Sequence, residues 1–135
     1  MQDPDRVHQL PVLETLGDGR SQWATTQWPS ETRSGMQLSP RIDCSSLRLR
    51  RSEPGYFADW HVAGEAVLIV IQHGTLRIGL RNGETRDFSE GQAFIAADRV
   101  PEGRPFDPAL HGHTARVIGE STLQAIHIKL SNFPT

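Results

Sequence analysis

Apolar residues in this chain mostly recur at every second position, in short runs interrupted by glycine and proline. Within 42–51, Leu47 and Leu49 share one side and Arg48 and Arg50 the other, the pattern of a half-buried strand. Glu53-Pro54-Gly55 reads as a turn, and 56–62 as the next strand. Residues 66–73 are apolar on both sides, as in a strand at the centre of a sandwich. Residues 75–81 set Leu76, Ile78 and Leu80 against Thr75, Arg77 and Arg81, and Asn82-Gly83 follows. That dipeptide is a strong hairpin signal because both positions tolerate positive φ. Strands are expected over 84–88 and 92–97, joined by Ser89-Glu90-Gly91. A loop with three prolines spans 98–112, and strands over 114–118 and 123–130 flank a turn at Gly119-Glu120. No stretch carries three turns of amphipathic helix, so the pattern predicts an all-β sandwich or barrel.

Residues 1–40 have a different texture, rich in Pro, Ser, Thr, Gly and Gln and without sustained periodicity. Trp23 and Trp28 argue against complete disorder there. The expectation is an N-terminal arm over 1–40 with one or two short strands, packed on the body or on a second subunit, and a barrel domain over 41–135. A length of 135 residues fits a single domain of about 100–150 residues.

Composition narrows the function classes. The formal net charge is −2, and no basic tract interleaved with aromatics points to nucleic acid. Arg48, Arg50 and Arg51 alternate with the strand and read as a solvated face. The one cysteine, Cys44, excludes an intramolecular disulfide, fits a reducing compartment and reads as buried filler. The opening MQDPDRVHQL lacks a basic start followed by an apolar core, so it is not a secretion signal. The apolar run at 66–71 is short of the roughly 20 residues that span a bilayer. A cytoplasmic protein without a membrane or nucleic-acid partner is expected.

The candidate chemistry begins at Trp60-His61. Gly55 precedes His61 by five intervening residues, Ala63 follows at i+2, Val67 comes three residues after that, and Gly74 six residues beyond. This spacing resembles the first motif of the cupin superfamily, Gly-x5-His-x-His-x3–4-Glu-x6-Gly, with Ala63 and Val67 at the second-histidine and glutamate positions. A competing register takes Asp59, His61 and Glu65 as the ligand set, but it loses Gly55 and misplaces Gly74, and strand pairing punishes such slips. The second cupin motif is echoed by Gly91, by a displaced Pro101-Glu102-Gly103, and by His111-Gly112-His113 after an inserted 104–110, with Val117 where an asparagine closes the motif. The chain is also similar to small bacterial cupins in Trp60-His61, in the hairpin Gly83-Glu84-Thr85-Arg86-Asp87-Phe88, in Ala96-Ala97-Asp98 and in Gly112-His113-Thr114-Ala115-Arg116.

The resemblance covers roughly 41–130. It implies a cupin-type (RmlC-like) jelly-roll β-barrel with an N-terminal arm, commonly a homodimer. It also implies a ligand site between the sheets near His61 and His113, lined by Val67, Ile69 and Trp60. The family's 3-His-1-Glu centre would keep here at most its first and last histidines. His111 and Asp98 are further candidate ligands, with Asp59 and Gln72 also near in sequence as recruits, for a divalent Fe, Zn, Ni or Mn ion; a site without metal is an equal expectation. Imidazole suits such ions, and residues i and i+2 of a strand face the same side.

Three readings follow. One is a small-molecule-binding cupin with an eroded metal site. Another is a metal-dependent dioxygenase, isomerase or lyase with a His-poor site. The third is a metal-free acid–base enzyme using His61, for which Asp59 and Tyr56 supply the residue types of a His-Asp-Tyr set. His73 reads as a strand-end residue, His127 as facing away from Ile126 and Ile128, and His8 as solvated.

Overall fold

The computed structural model describes residues 7–133, so the first six residues of the expected arm, including most of the segment read against a secretion signal, and the last two of the barrel domain lie outside the described residues. All the regular structure is strand, and no helix of the described residues is long and apolar enough to cross a membrane.

Fourteen strands form among the described residues. The arm contributes β1 (Val7–His8), β2 (Pro11–Thr15), β3 (Ser21–Thr25), β4 (Trp28–Pro29), β5 (Glu31–Arg33) and β6 (Met36–Leu38). The body contributes β7 (Cys44–Ser52), β8 (Phe57–His61), β9 (Val67–His73), β10 (Thr75–Gly79), β11 (Thr85–Phe88), β12 (Ala93–Ala96), β13 (His113–Ile118) and β14 (Leu123–Leu130). A six-stranded sheet runs β3-β2-β12-β9-β14-β7 and faces a four-stranded sheet, β11-β10-β13-β8. The expected strands of the body are all present, with ends within a few residues of the sequence reading. The arm is more ordered than its texture suggested. β2 pairs with β12 in parallel, Val12 opposite Ile95 and Leu13 opposite Ala96, so residues 11–25 extend the larger sheet.

Burial explains the doubly apolar strand. The inner core between the sheets holds Leu13, Ile69, Ile71, Leu76, Ile78, Phe88, Phe94 and Leu123. A second core on the outer face of the larger sheet gathers Val12, Ala66, Ile95, Ala97 and Leu130, with Trp28 and Leu68 against it. Strand β9 is central in that sheet, so Val67, Ile69 and Ile71 look inward while Leu68 looks out beneath the arm. A sheet covered on both faces needs apolar side chains at consecutive positions.

Strand β7 inverts the polarity read from its alternation. It is an edge strand, with Arg50 opposite the buried Ala125 and Arg48 opposite His127. The arginines therefore lie on the inner side, and Leu47 and Leu49 are 63% and 72% exposed on the other. Alternation identifies two faces but cannot say which of them meets the core when the strand overhangs it. Cys44, expected as buried filler, is exposed at the start of this strand, with its Sγ 3.4 Å from the Ile42 carbonyl.

Gly74 makes the tight step from β9 in one sheet to β10 in the other. Its φ is +82°, and an added Cβ would stand 2.7 Å from the Thr122 carbonyl oxygen and 3.0 Å from Leu123 Cα. Both the dihedral and the contact exclude a side chain. Gly74→Ala is therefore expected to lower unfolding free energy by about 1–3 kcal/mol, measured as a shift in the urea midpoint.

Candidate functional site

β8 and β13 pair so that His61 stands opposite His113. One step inward Ala58 pairs with Ala115, and the register shifts between the two pairs. This irregularity spends an extra residue of β8 and turns both His61 and Ala58 inward. Gly112 allows the close approach: its φ is +87°, and a Cβ there would stand 2.7 Å from the His61 carbonyl carbon and 2.9 Å from its nitrogen. The two imidazole rings lie 4.4 Å apart between centroids, tilted by 53°.

Each ring is held by its Nδ1. His113 Nδ1 donates to Asp98 Oδ2 at 2.7 Å, and His61 Nδ1 donates to the Asp59 carbonyl at 2.6 Å. Both acceptors lack a proton to give, which fixes the tautomers and leaves Nε2 of each ring as the nitrogen with a free lone pair.

Asp98 follows β12 and is completely buried. Its Oδ2 also accepts from Ser21 Oγ at 2.7 Å and its Oδ1 from the Ala63 amide at 3.0 Å. The isolated bridge between Arg20 and Gly112 brings the start of β3, and hence Ser21, to this place. Burial by itself would raise the Asp98 carboxyl, but the hydrogen bonds from His113, Ser21 and Ala63 outweigh it and hold the group below its ordinary value. The carboxylate is thus an anchor beneath His113, with its oxygens engaged by protein donors.

The other sequence candidates are distributed around this pair. Ala63 and Val67 pack against the inner core beside it, while Glu65 is at the rim, ion-paired with Lys129 at 2.8 Å. Ile69 lies deeper, in the core itself. Trp60 is turned away, with the Arg81 guanidinium 3.6 Å from its ring centroid. His111 is buried elsewhere: its Nδ1 accepts from the Asp107 amide at 2.9 Å, and a Cβ on Gly19 would stand 3.1 Å from its Nε2. Asp59 turns its side chain to the Trp60 amide, and Gln72 is exposed. Tyr56 is exposed, with Arg50 5.0 Å from its ring centroid. His73 bonds the Thr122 carbonyl at a strand end, and His8, read as solvated, meets Ser30 Oγ at 3.2 Å.

Two features escaped the sequence reading. One is the pairing of Asp98 with His113, whose signal was an aspartate just past one strand facing a histidine at the start of the next. The other is His127. It does face away from Ile126 and Ile128, but those belong on the outer side, so His127 looks inward beside Ala63 and Val67.

A metal centre of the 3-His-1-Glu kind does not fit this donor set. Ala63 and Val67 carry no donor atoms, Asp98 is committed to three protein donors, and among the described residues no three His, Cys, Asp or Glu side chains gather as a metal site.

The electrostatics give a pH signature. Burial, chiefly, pushes His61 below the ordinary histidine value of 6.5, with His113 and Arg50 adding to the fall and the Asp59 carbonyl opposing it. Burial and then Arg50 and Arg48 push His127 the same way. The unfolded chain therefore takes up these protons first. Stability is expected to be full above pH 6.5 and to decline as pH falls through the folded values of both rings. A depressed Asp98 adds a second loss at lower pH, since its contribution is full above 3.8 and disappears as pH falls through its folded value. Urea denaturation against pH should show both steps. Asp98→Asn should remove the lower one and cost about 1–3 kcal/mol at neutral pH.

No family model matches the sequence, and no curated protein matches it. Solved structures do match in fold. A cupin domain from Bordetella pertussis Tohama I is 13% identical, over 97% of this chain and 98% of that one, with a TM-score of 0.46. A cupin-2 domain protein from Shewanella frigidimarina is 17% identical, over 69% of this chain and 80% of that one, at 0.46. The polyketide cyclase RemF from Streptomyces resistomycificus is 15% identical, over all of this chain and 82% of that one, at 0.49. At such identities and TM-scores the likeness concerns fold alone, and two of these three neighbours are cupin domains.

Proposed function

We propose that this protein binds a small molecule between its two sheets, against His61 and His113, as a cupin domain whose metal centre has been lost. The observation that carries the reading is the paired imidazoles. Both present Nε2 as an acceptor beside the apolar Ala63 and Val67. Such a wall holds an apolar body and fixes it with a few convergent polar groups. Elemental analysis of protein purified without a tag or chelator tests it. The expected result is Fe, Zn, Ni and Mn well below one per chain, unchanged in His61→Ala and His113→Ala. Stoichiometric metal that is lost in both variants would replace this reading with a His-poor metalloenzyme.

A specific contact favours a second reading, metal-free acid–base chemistry. A buried carboxylate on Nδ1 fixes the ring it holds in the tautomer whose Nε2 can accept a proton. That assigns the base to His113, with His61 as its neighbour, where sequence alone pointed to His61. If the protein turns over a substrate, kcat should fall about 10–100-fold in Asp98→Asn and at least as far in His113→Gln. A kcat unmoved by both changes excludes this chemistry.

A further inference from the structure

Beside the imidazole pair, β7, β14 and residues 63–67 line an open pocket of about 470 Å³, within the size range of small-molecule sites. Arg48, Ala63, Val67 and His127 line it, and the Glu65–Lys129 ion pair stands at its rim. We propose that this wall is an oxyanion subsite, in which Arg48, with the charge of Arg50 behind it, takes a carboxylate or phosphate group of the ligand whose body lies along Ala63 and Val67 toward His61. The inference rests on the small-molecule reading and assigns the ligand's charge.

Three observations carry it. First, the arginines face inward, Arg48 opposite His127 and Arg50 opposite Ala125. Among the described residues neither forms an ion pair, and Arg48 has no hydrogen-bond partner either, whereas Arg50 Nε donates to Ser52 Oγ at 3.0 Å with its guanidinium 5.0 Å from the Tyr56 ring centroid. An unneutralised guanidinium beside a cavity favours an anion, which it can bind through two parallel N–H donors. Second, Arg50 is close enough to both His61 and His127 to disfavour their protonation, and burial weakens its own hold on its proton. A field that disfavours an imidazolium disfavours a divalent cation more strongly and attracts an anion. Third, His127 Nε2 is buried without a hydrogen-bond partner although its ring lines the cavity. A buried polar atom left unsatisfied by the protein calls for a partner from outside it.

The experiment titrates the full chain with benzoate, phenyl phosphate and the neutral benzamide. Binding is followed by calorimetry and by the imidazole resonances of His61 and His127. Saturable binding of benzoate or phenyl phosphate is expected to shift both rings, to be about tenfold tighter than that of benzamide, and to weaken about tenfold in Arg48→Gln or Arg50→Gln. It should also weaken with added salt, and the ratio of the two anions tells which oxyanion the site prefers. Arg48 is exposed, so its variant keeps the test valid if Arg50→Gln does not fold. Equal binding of benzamide and benzoate with shifts at His61 overturns the subsite and leaves the small-molecule reading standing. Anion binding unaltered by both variants also overturns the subsite. No saturable response to any of the three overturns both.

Discussion

A carboxylate removed from water must be compensated by donors or it does not stay charged, and Asp98 organises the structure around that requirement. Its donors come from three separate parts of the chain: Ser21 of β3, the amide of Ala63 after β8, and His113 of β13. Two of these elements belong to opposite sheets. One buried charge therefore ties the arm to the body and one sheet to the other, and orients the imidazole the site depends on. The Gly64 amide donating to the Asp98 carbonyl at 2.9 Å fastens the same junction through the backbone.

The consequence for chemistry is a division of labour between carboxylate and imidazole. Asp98 holds His113 from behind, much as an outer carboxylate orients a metal-bound histidine in other proteins. Here the positions in front are Ala63 and Val67, and Arg48 lines the same pocket without an ion pair among the described residues. The open side of the imidazole pair is thus apolar at Ala63 and Val67 and cationic at Arg48.

The strands of the body were legible because their alternation and turn residues are local properties. Leu76, Ile78 and Leu80 go inward, and the turn at Asn82-Gly83 falls between β10 and β11. The arm was less legible, since β2 and β3 gain their order from β12, a partner some eighty residues away in sequence. The same limit applied to β7. Its two faces were evident, but the inner one carries the arginines because the strand lies at the sheet's edge, where the inner side opens on a cavity.

Sequence by itself determined that the chain is all-β, where its body strands lie, and that His61 and His113 stand at the resembling positions with Ala63 and Val67 between them. Those are matters of period and spacing, and both survive in one dimension. Tertiary structure alone decided that His61 faces His113 across paired strands, that Asp98 is an anchor, that His111 is packed elsewhere, and that Arg48 and His127 share one wall. Each of those facts depends on contacts between residues distant along the chain, set by strand register and by which face of a strand meets the core. A pattern read along the chain carries the side on which a residue lies, but not what stands opposite.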